Sequence, residues 1–80
     1  MKILLFGITK DIVGENIISF DDEKVKPENI SELKNILFSK FPDLKKITSM
    51  AIAVNESYAN NSTVINESDQ IALIPPVSGG

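Results

Sequence analysis

Hydrophobic positions along the chain follow two kinds of pattern. Residues 2–8 hold Ile3, Leu4, Leu5 and Phe6 in an unbroken run, and residues 70–74 hold Ile71, Ala72, Leu73 and Ile74 likewise. A continuous apolar run of this length predicts a strand covered on most of both faces. Residues 16–20 predict a second strand, joined to the first as an antiparallel hairpin through a turn at 11–14, where Gly14 can take φ > 0 without steric cost. A charged loop follows at 21–28. Residues 29–40 change period: Ile30, Leu33, Ile36 and Leu37, continued by Phe41, repeat at helical spacing and form one apolar stripe. Asn29 is placed to cap that helix, with Glu32 three residues on completing a capping box, and Pro42 ends it by biasing Phe41 away from the helical region. Residues 50–54 predict a short third strand, 55–57 a turn, and Tyr58 and Ala59 a brief pairing. Residues 60–69 are polar and turn-like apart from Val64 and Ile65. Pro75 and Pro76 stop the last strand, because neither can donate to a sheet ladder.

The element order is thus hairpin, helix, short strands, last strand. If the two continuous runs lie side by side at the centre of a mixed sheet and the helix crosses one face, the fold class is α+β with one main helix packed across the sheet. This is the ubiquitin-like β-grasp plan. A split βαβ arrangement needs a second helix of comparable length, and residues 60–69 carry no helical stripe. The expected organisation is a β-grasp domain over 1–76 and a flexible diglycine tail over 77–80.

Composition narrows the chemistry. The 80 residues suffice for one domain, burying roughly 60–65% of the surface that the unfolded chain exposes. A net charge of −3 argues against a general nucleic-acid binder, which needs a basic face against phosphate. There is no Cys and no His. That excludes disulfides, Cys/His zinc sites, a Cys nucleophile, a Ser-His-Asp triad and the usual acid–base group at neutral pH. No metal site and no bound cofactor are expected. The apolar run after Lys2 breaks at Thr9, Lys10 and Asp11 without a small-residue cleavage site, and no stretch reaches membrane-spanning length, so the expected location is the cytoplasm. Asn29, Asn55, Asn60, Asn61 and Asn66 each head an N-x-S/T triplet, read here as turn composition.

The remaining chemistry lies at the C-terminal end. Beyond Pro76 stand Val77, Ser78, Gly79 and Gly80, four residues that reach roughly 13–14 Å when extended. The prolines stiffen the exit, and the glycines leave a tip narrow enough to thread a channel. Read as the end of the chain, Gly80 delivers one reactive group, a carboxylate ionised at neutral pH with an ordinary pKa of about 3.5. An ionised carboxylate is a poor electrophile. It becomes useful once a partner activates it, as an acyl-adenylate made with ATP, for capture by sulfur or by an amine. The chain is then a carrier and not an enzyme on its own.

The segment "LIPPVSGG" resembles the C-terminal signature of the small, sulfur-carrier subunits of molybdopterin synthase, within the ubiquitin-like family. "LLFGITKDIVG", "ISELKNILFSKFP" and "AIAVNESYA" are similar to that family's segments in the same order, so the resemblance spans essentially the whole chain. Lys10 stands where the family often has Arg, and Leu73 and Ile74 where an aromatic residue commonly precedes the prolines. The resemblance implies that Gly80 is adenylated by an activating enzyme using ATP and converted to a thiocarboxylate. The tail then enters the large synthase subunit, where sulfur passes to a cyclic pterin precursor in molybdenum cofactor biosynthesis. It further implies a heterotetramer with a large-subunit dimer at its centre. Pro75, Pro76, Val77, Ser78 and Gly79 would contact the partner through the tail. Alternatives are a sulfur carrier for thiamine or tRNA thiolation, a ubiquitin-like modifier joined to lysines, and a plain interaction module.

Other features have plainer readings. Lys45 and Lys46 read as a solvated pair after the helix, and Asp21, Asp22, Glu23 and Asp43 as charged loop residues without metal-ligand spacing. Tyr58 reads as a half-buried sheet residue or a stacking contact. Phe6, Phe20, Phe38 and Phe41 read as mostly core, any of them left exposed on the sheet being a docking patch.

Overall fold

The computed structural model describes residues 1–19, 26–47 and 49–76. Its elements are β1 (Lys2–Leu5), α1 (Ile8–Val13), β2 (Ile17–Ser19), α2 (Ile30–Lys40), a 3₁₀ helix (Pro42–Lys46), β3 (Ala51–Val54), β4 (Ser57–Tyr58) and β5 (Gln70–Ile74). The strands form one mixed sheet in the order β2-β1-β5-β3-β4. The first and last strands are the central parallel pair, Ile3 beside Ile71 and Leu5 beside Leu73. All other pairings are antiparallel. This is the expected β-grasp architecture. Phe20, Asp21, Asp22 and Glu23, and with them the end of the expected second strand and most of the charged loop, lie outside the described residues.

The core forms between the sheet and α2. Ile3, Leu5, Ile71, Leu73 and Ile52 from the strands meet Ile30, Leu33 and Leu37 from the helix, with Leu44 and Ile65 closing the ends. Phe38 and Phe41 pack against this cluster partly buried. The start of α2 satisfies its orphan N–H groups without water. Ile30 N–H donates to Thr63 O (3.1 Å), Ser31 N–H to Asn61 O (3.0 Å) and Glu32 N–H to Asn29 Oδ1 (2.9 Å). The polar stretch 60–65 is therefore the helix's N-terminal cradle, tied down by an antiparallel bridge between Asn29 and Val64. At the other end Phe41 is extended (φ −132°, ψ 78°), as the residue before Pro42 should be, and Pro42 opens the 3₁₀ helix.

Three expectations are corrected. The first strand stops at Leu5 rather than residue 8, and residues 8–13 form a helix, not the approach to a hairpin turn. Gly7 turns the chain there with φ 55° and ψ −130°, the first central position of a type II′ turn. Thr9 fixes that turn from inside the protein, its hydroxyl accepting from Phe6 N–H (2.9 Å) and donating to Phe6 O (2.6 Å). Gly14 does take the expected positive φ, but as the left-handed cap of α1. The third correction concerns burial. β1 and β5 are covered on one face only, since Leu4, Ala72 and Ile74 are half-buried while their neighbours are inaccessible. No helix among the described residues is long and apolar enough to cross a membrane.

Candidate functional site

Strand registers place residues across the outer face of the sheet. Ile17 pairs with Leu4, Leu4 with Ala72, Ala72 with Ala53, and Ala53 with Tyr58. Paired residues share a face, so these five form one apolar row across all five strands, about 19 Å long at the usual strand spacing. The neighbouring row on one side is polar: Ser19, Lys2 and Gln70. On the other side Ile74 pairs with Ala51, and Phe6 follows β1 with half its surface exposed (50%). The face is thus polar at one end and apolar toward the point where β5 leaves the sheet. Ile17 (47%) and Tyr58 (78%) are the exposed ends of the row. Phe6 lies outside the core, where the sequence reading makes an exposed Phe part of a docking patch, and Tyr58 is too exposed for the half-buried reading, which leaves that of a stacking contact. Strand parity puts both on the side away from α2.

Pro75 and Pro76 stand at the tail root, Pro75 half-buried and Pro76 exposed. They line a groove of about 710 Å³ with Gly7, Ile8, Ile12, Asp43, Lys46 and Ile47. The floor is apolar, and the rim carries an exposed ion pair, Lys46 Nζ to Asp43 Oδ1 at 3.2 Å. Pro75 touches its own domain closely: a Cβ added at Gly7 would stand 3.1 Å from Pro75 Cγ. The tail root is thus seated against the domain. Val77, Ser78, Gly79 and Gly80 lie outside the described residues.

Sequence reasoning reached the two prolines but missed Gly7, Thr9 and the outer face. A glycine directly after an apolar run was the available signal for the first. For the face, an uninterrupted run records apolarity on both sides without saying what covers the second. Among the described residues, the two carboxylates with shifted titration lie near the start of β5, away from the tail root. Glu67 is held below its ordinary value by its hydrogen bond and ion pair with Lys26 (2.7 Å). Asp69 is held low first by the Asn66 N–H (2.8 Å) and then by the Asn55 side chain (2.9 Å).

An apolar sheet face next to a seated chain exit is what a carrier domain needs, and the comparisons agree. The ThiS family pattern matches residues 3–80. The molybdopterin synthase sulfur carrier subunit of Dictyostelium discoideum is 38% identical, over 99% of this chain and 94% of that protein. A chain in the complex of subunits 1 and 2 of the molybdopterin-converting factor from Helicobacter pylori is 32% identical with a TM-score of 0.65, covering 99% of this chain and 96% of its own. The small archaeal modifier protein 1 from Methanosarcina acetivorans superposes with a TM-score of 0.82 at 23% identity, over 99% of this chain and 94% of that one, a likeness of fold. With the family pattern spanning residues 3–80 and relatives matched over nearly their whole length, the chain belongs to the ThiS family, alongside the ubiquitin-like sulfur carrier subunits of molybdopterin synthase.

Proposed function

We propose that this protein is the sulfur carrier subunit of a molybdopterin synthase, working in the cytoplasm, with Gly80 as the terminal residue of the working protein. The observation that carries the reading is the full-length match to the Dictyostelium sulfur carrier subunit. The outer face and the tail root support it, because they give one docking surface beside one exit.

The chemistry follows from what a carboxylate lacks. An activating enzyme joins the Gly80 carboxylate to the AMP part of ATP, and pyrophosphate leaves. A sulfide equivalent from a donor then displaces AMP, giving the thiocarboxylate. In the synthase the thiocarboxylate sulfur bonds to a carbon of the cyclic pterin precursor as the C–O bond there breaks, the oxygen substituent leaving with the electron pair and taking up a proton where it needs one. Water cleaves the resulting acyl–sulfur bond, which restores the carboxylate and leaves the sulfur on the pterin. Two such rounds supply the dithiolene that later holds molybdenum or tungsten. The acids and bases belong to the large subunit, since this chain has no His and no Cys. Val77 and Ser78, with the prolines, contact the large subunit as the tail enters it, and Gly79 is the slim spacer. The large subunit covers the outer face from Tyr58 to Ile17, and the assembly is a heterotetramer with the large-subunit dimer at its centre.

Intact mass tests the reading. Incubation with the activating enzyme, ATP and a sulfur donor should add the difference between one sulfur and one oxygen. The charged chain plus large subunit should then convert the pterin precursor. An unchanged mass, or instead a ladder of lysine conjugates on cell proteins, would displace this function.

A further inference from the structure

We infer that Gly7 is a positioning residue for the tail: its missing side chain seats Pro75 and so sets the direction in which the last four residues leave the domain. This rests on the reading of Gly80 as the reacting group. Once β5 ends at Ile74, no sheet ladder can orient the chain, because Pro75 and Pro76 have no N–H. Orientation then has to come from packing. β1 and β5 run parallel with Leu5 beside Leu73, so continuing the register brings Gly7 alongside Pro75. There the bare Cα lets the ring approach closely: an added Cβ would stand 3.1 Å from Pro75 Cγ, tight enough that the ring would have to give by a few tenths of an ångström. Gly7 is itself held. Its φ of 55° and ψ of −130° belong to a turn closed by Thr9 N–H on Phe6 O (3.1 Å). The Thr9 hydroxyl, fully buried, bonds both backbone groups of Phe6.

A Pro75 ring pushed aside by an added Cβ would move the root of the tail relative to a domain docked on its sheet face. Misplacement by about 1 Å, even from a change remote from the chemistry, can cost about a hundredfold in rate. The domain can still dock on its sheet face with the reacting carbon out of place. The signature of a positioning role is therefore a lower transfer rate at saturating partner with unchanged half-saturation.

The test uses thiocarboxylated full-length chains, the large synthase subunit of the same organism and the cyclic pterin precursor, in single turnover well below every Tm. Gly7→Ala should lower the saturating transfer rate about tenfold or more while the half-saturating concentration of large subunit stays within about twofold. Gly14→Ala is the control. It also forces an L-residue to positive φ (89°), but nothing lies within 4 Å of its added Cβ, so it should lose stability and keep the wild-type rate. Should Gly7→Ala fail to fold, Thr9→Val, which releases Phe6, carries the test: its saturating rate should fall while that of Thr9→Ser is retained. Wild-type saturating rates in Gly7→Ala or Thr9→Val overturn the inference. So does a slower rate shared equally by Gly14→Ala, or a raised half-saturation at unchanged rate. A wild-type chain that transfers no sulfur overturns the proposed function as well, so the two failures are distinguishable.

Discussion

Asp69 shows how much a single half-buried carboxylate can organise. It accepts from Asn66 N–H and from Asn55 Nδ2, while Asn55 Oδ1 accepts Gln70 N–H at 3.0 Å, clasping the β3–β4 turn to the start of β5. Both bonds favour the ionised form, so the folded-state pKa lies below the ordinary 3.8. A depressed carboxylate contributes stability that is complete above its unfolded value and disappears as pH falls through the folded one. Urea midpoints should therefore fall as pH drops below 3.8, and Asp69→Asn should reduce that fall while lowering the midpoint at neutral pH. Glu67, depressed by Lys26, leaves a residual slope in the variant. An unaltered slope would show that the clasp does not depend on the charge. At this scale the sequence was legible in kind. The asparagines of the N-x-S/T triplets were read as turn residues, and Asn29, Asn55, Asn60, Asn61 and Asn66 all accept hydrogen bonds from turn, cap or cradle partners through side chain or backbone. Their partners, 27 positions away in the case of Lys34 and Asn61, could not be read from local composition.

Among the elements, α2 was readable and α1 was not, and the cause is length. Eleven residues give α2 three turns over which Ile30, Leu33 and Leu37 repeat, so periodicity stands out from chance. Six residues give α1 fewer than two turns, and only Thr9 is fully buried in it. Its signal is a pair of glycines at its ends, which equally describes a hairpin. Isolated helices this short do not persist in water; α1 exists because Ile12 and Val13 pack on the core and Thr9 bonds its own turn. The consequence for α2 is quantitative. Leu33 is inaccessible at the centre of the helix–sheet contact. Leu33→Ala should cost about 2–5 kcal/mol. For a domain of this size each kcal/mol is worth about 4–8 °C in Tm, so calorimetry should register a large drop. A loss of only a degree or two would mean that the core collapses around the vacancy.

For the whole molecule, the informative disagreement between sequence and structure is the continuous apolar run. Leu4, Ala72 and Ile74 were expected to be buried, and within the single chain they are only half so. The expectation concerned two faces, and in the proposed assembly a partner would complete the second. Lone domains this small gain little from an apolar outer sheet, and a row from Ile17 to Tyr58 invites association unless it has a fixed recipient. In the proposed assembly the polarity gradient sets the partner's place: Lys2, Ser19 and Gln70 would be left to water, and Phe6, Ile74 and Ala51, next to Pro75, would be covered. Tyr58→Ala and Ile17→Ser truncate the two exposed ends of the row. Neither residue supports the core, so each should change stability by no more than about 0.5–1 kcal/mol. Against the large subunit each should weaken binding by about 1 kcal/mol or more if it lies under the partner. Because they stand about 19 Å apart, four strand spacings, and share no neighbour, the double variant should show the sum of the two losses. Titration calorimetry distinguishes the possibilities. Additive losses place the partner across the whole row. A loss at Ile17 alone confines it to the β2 side, and binding indifferent to both changes would show that the carrier is held by its tail, with the outer face serving another encounter.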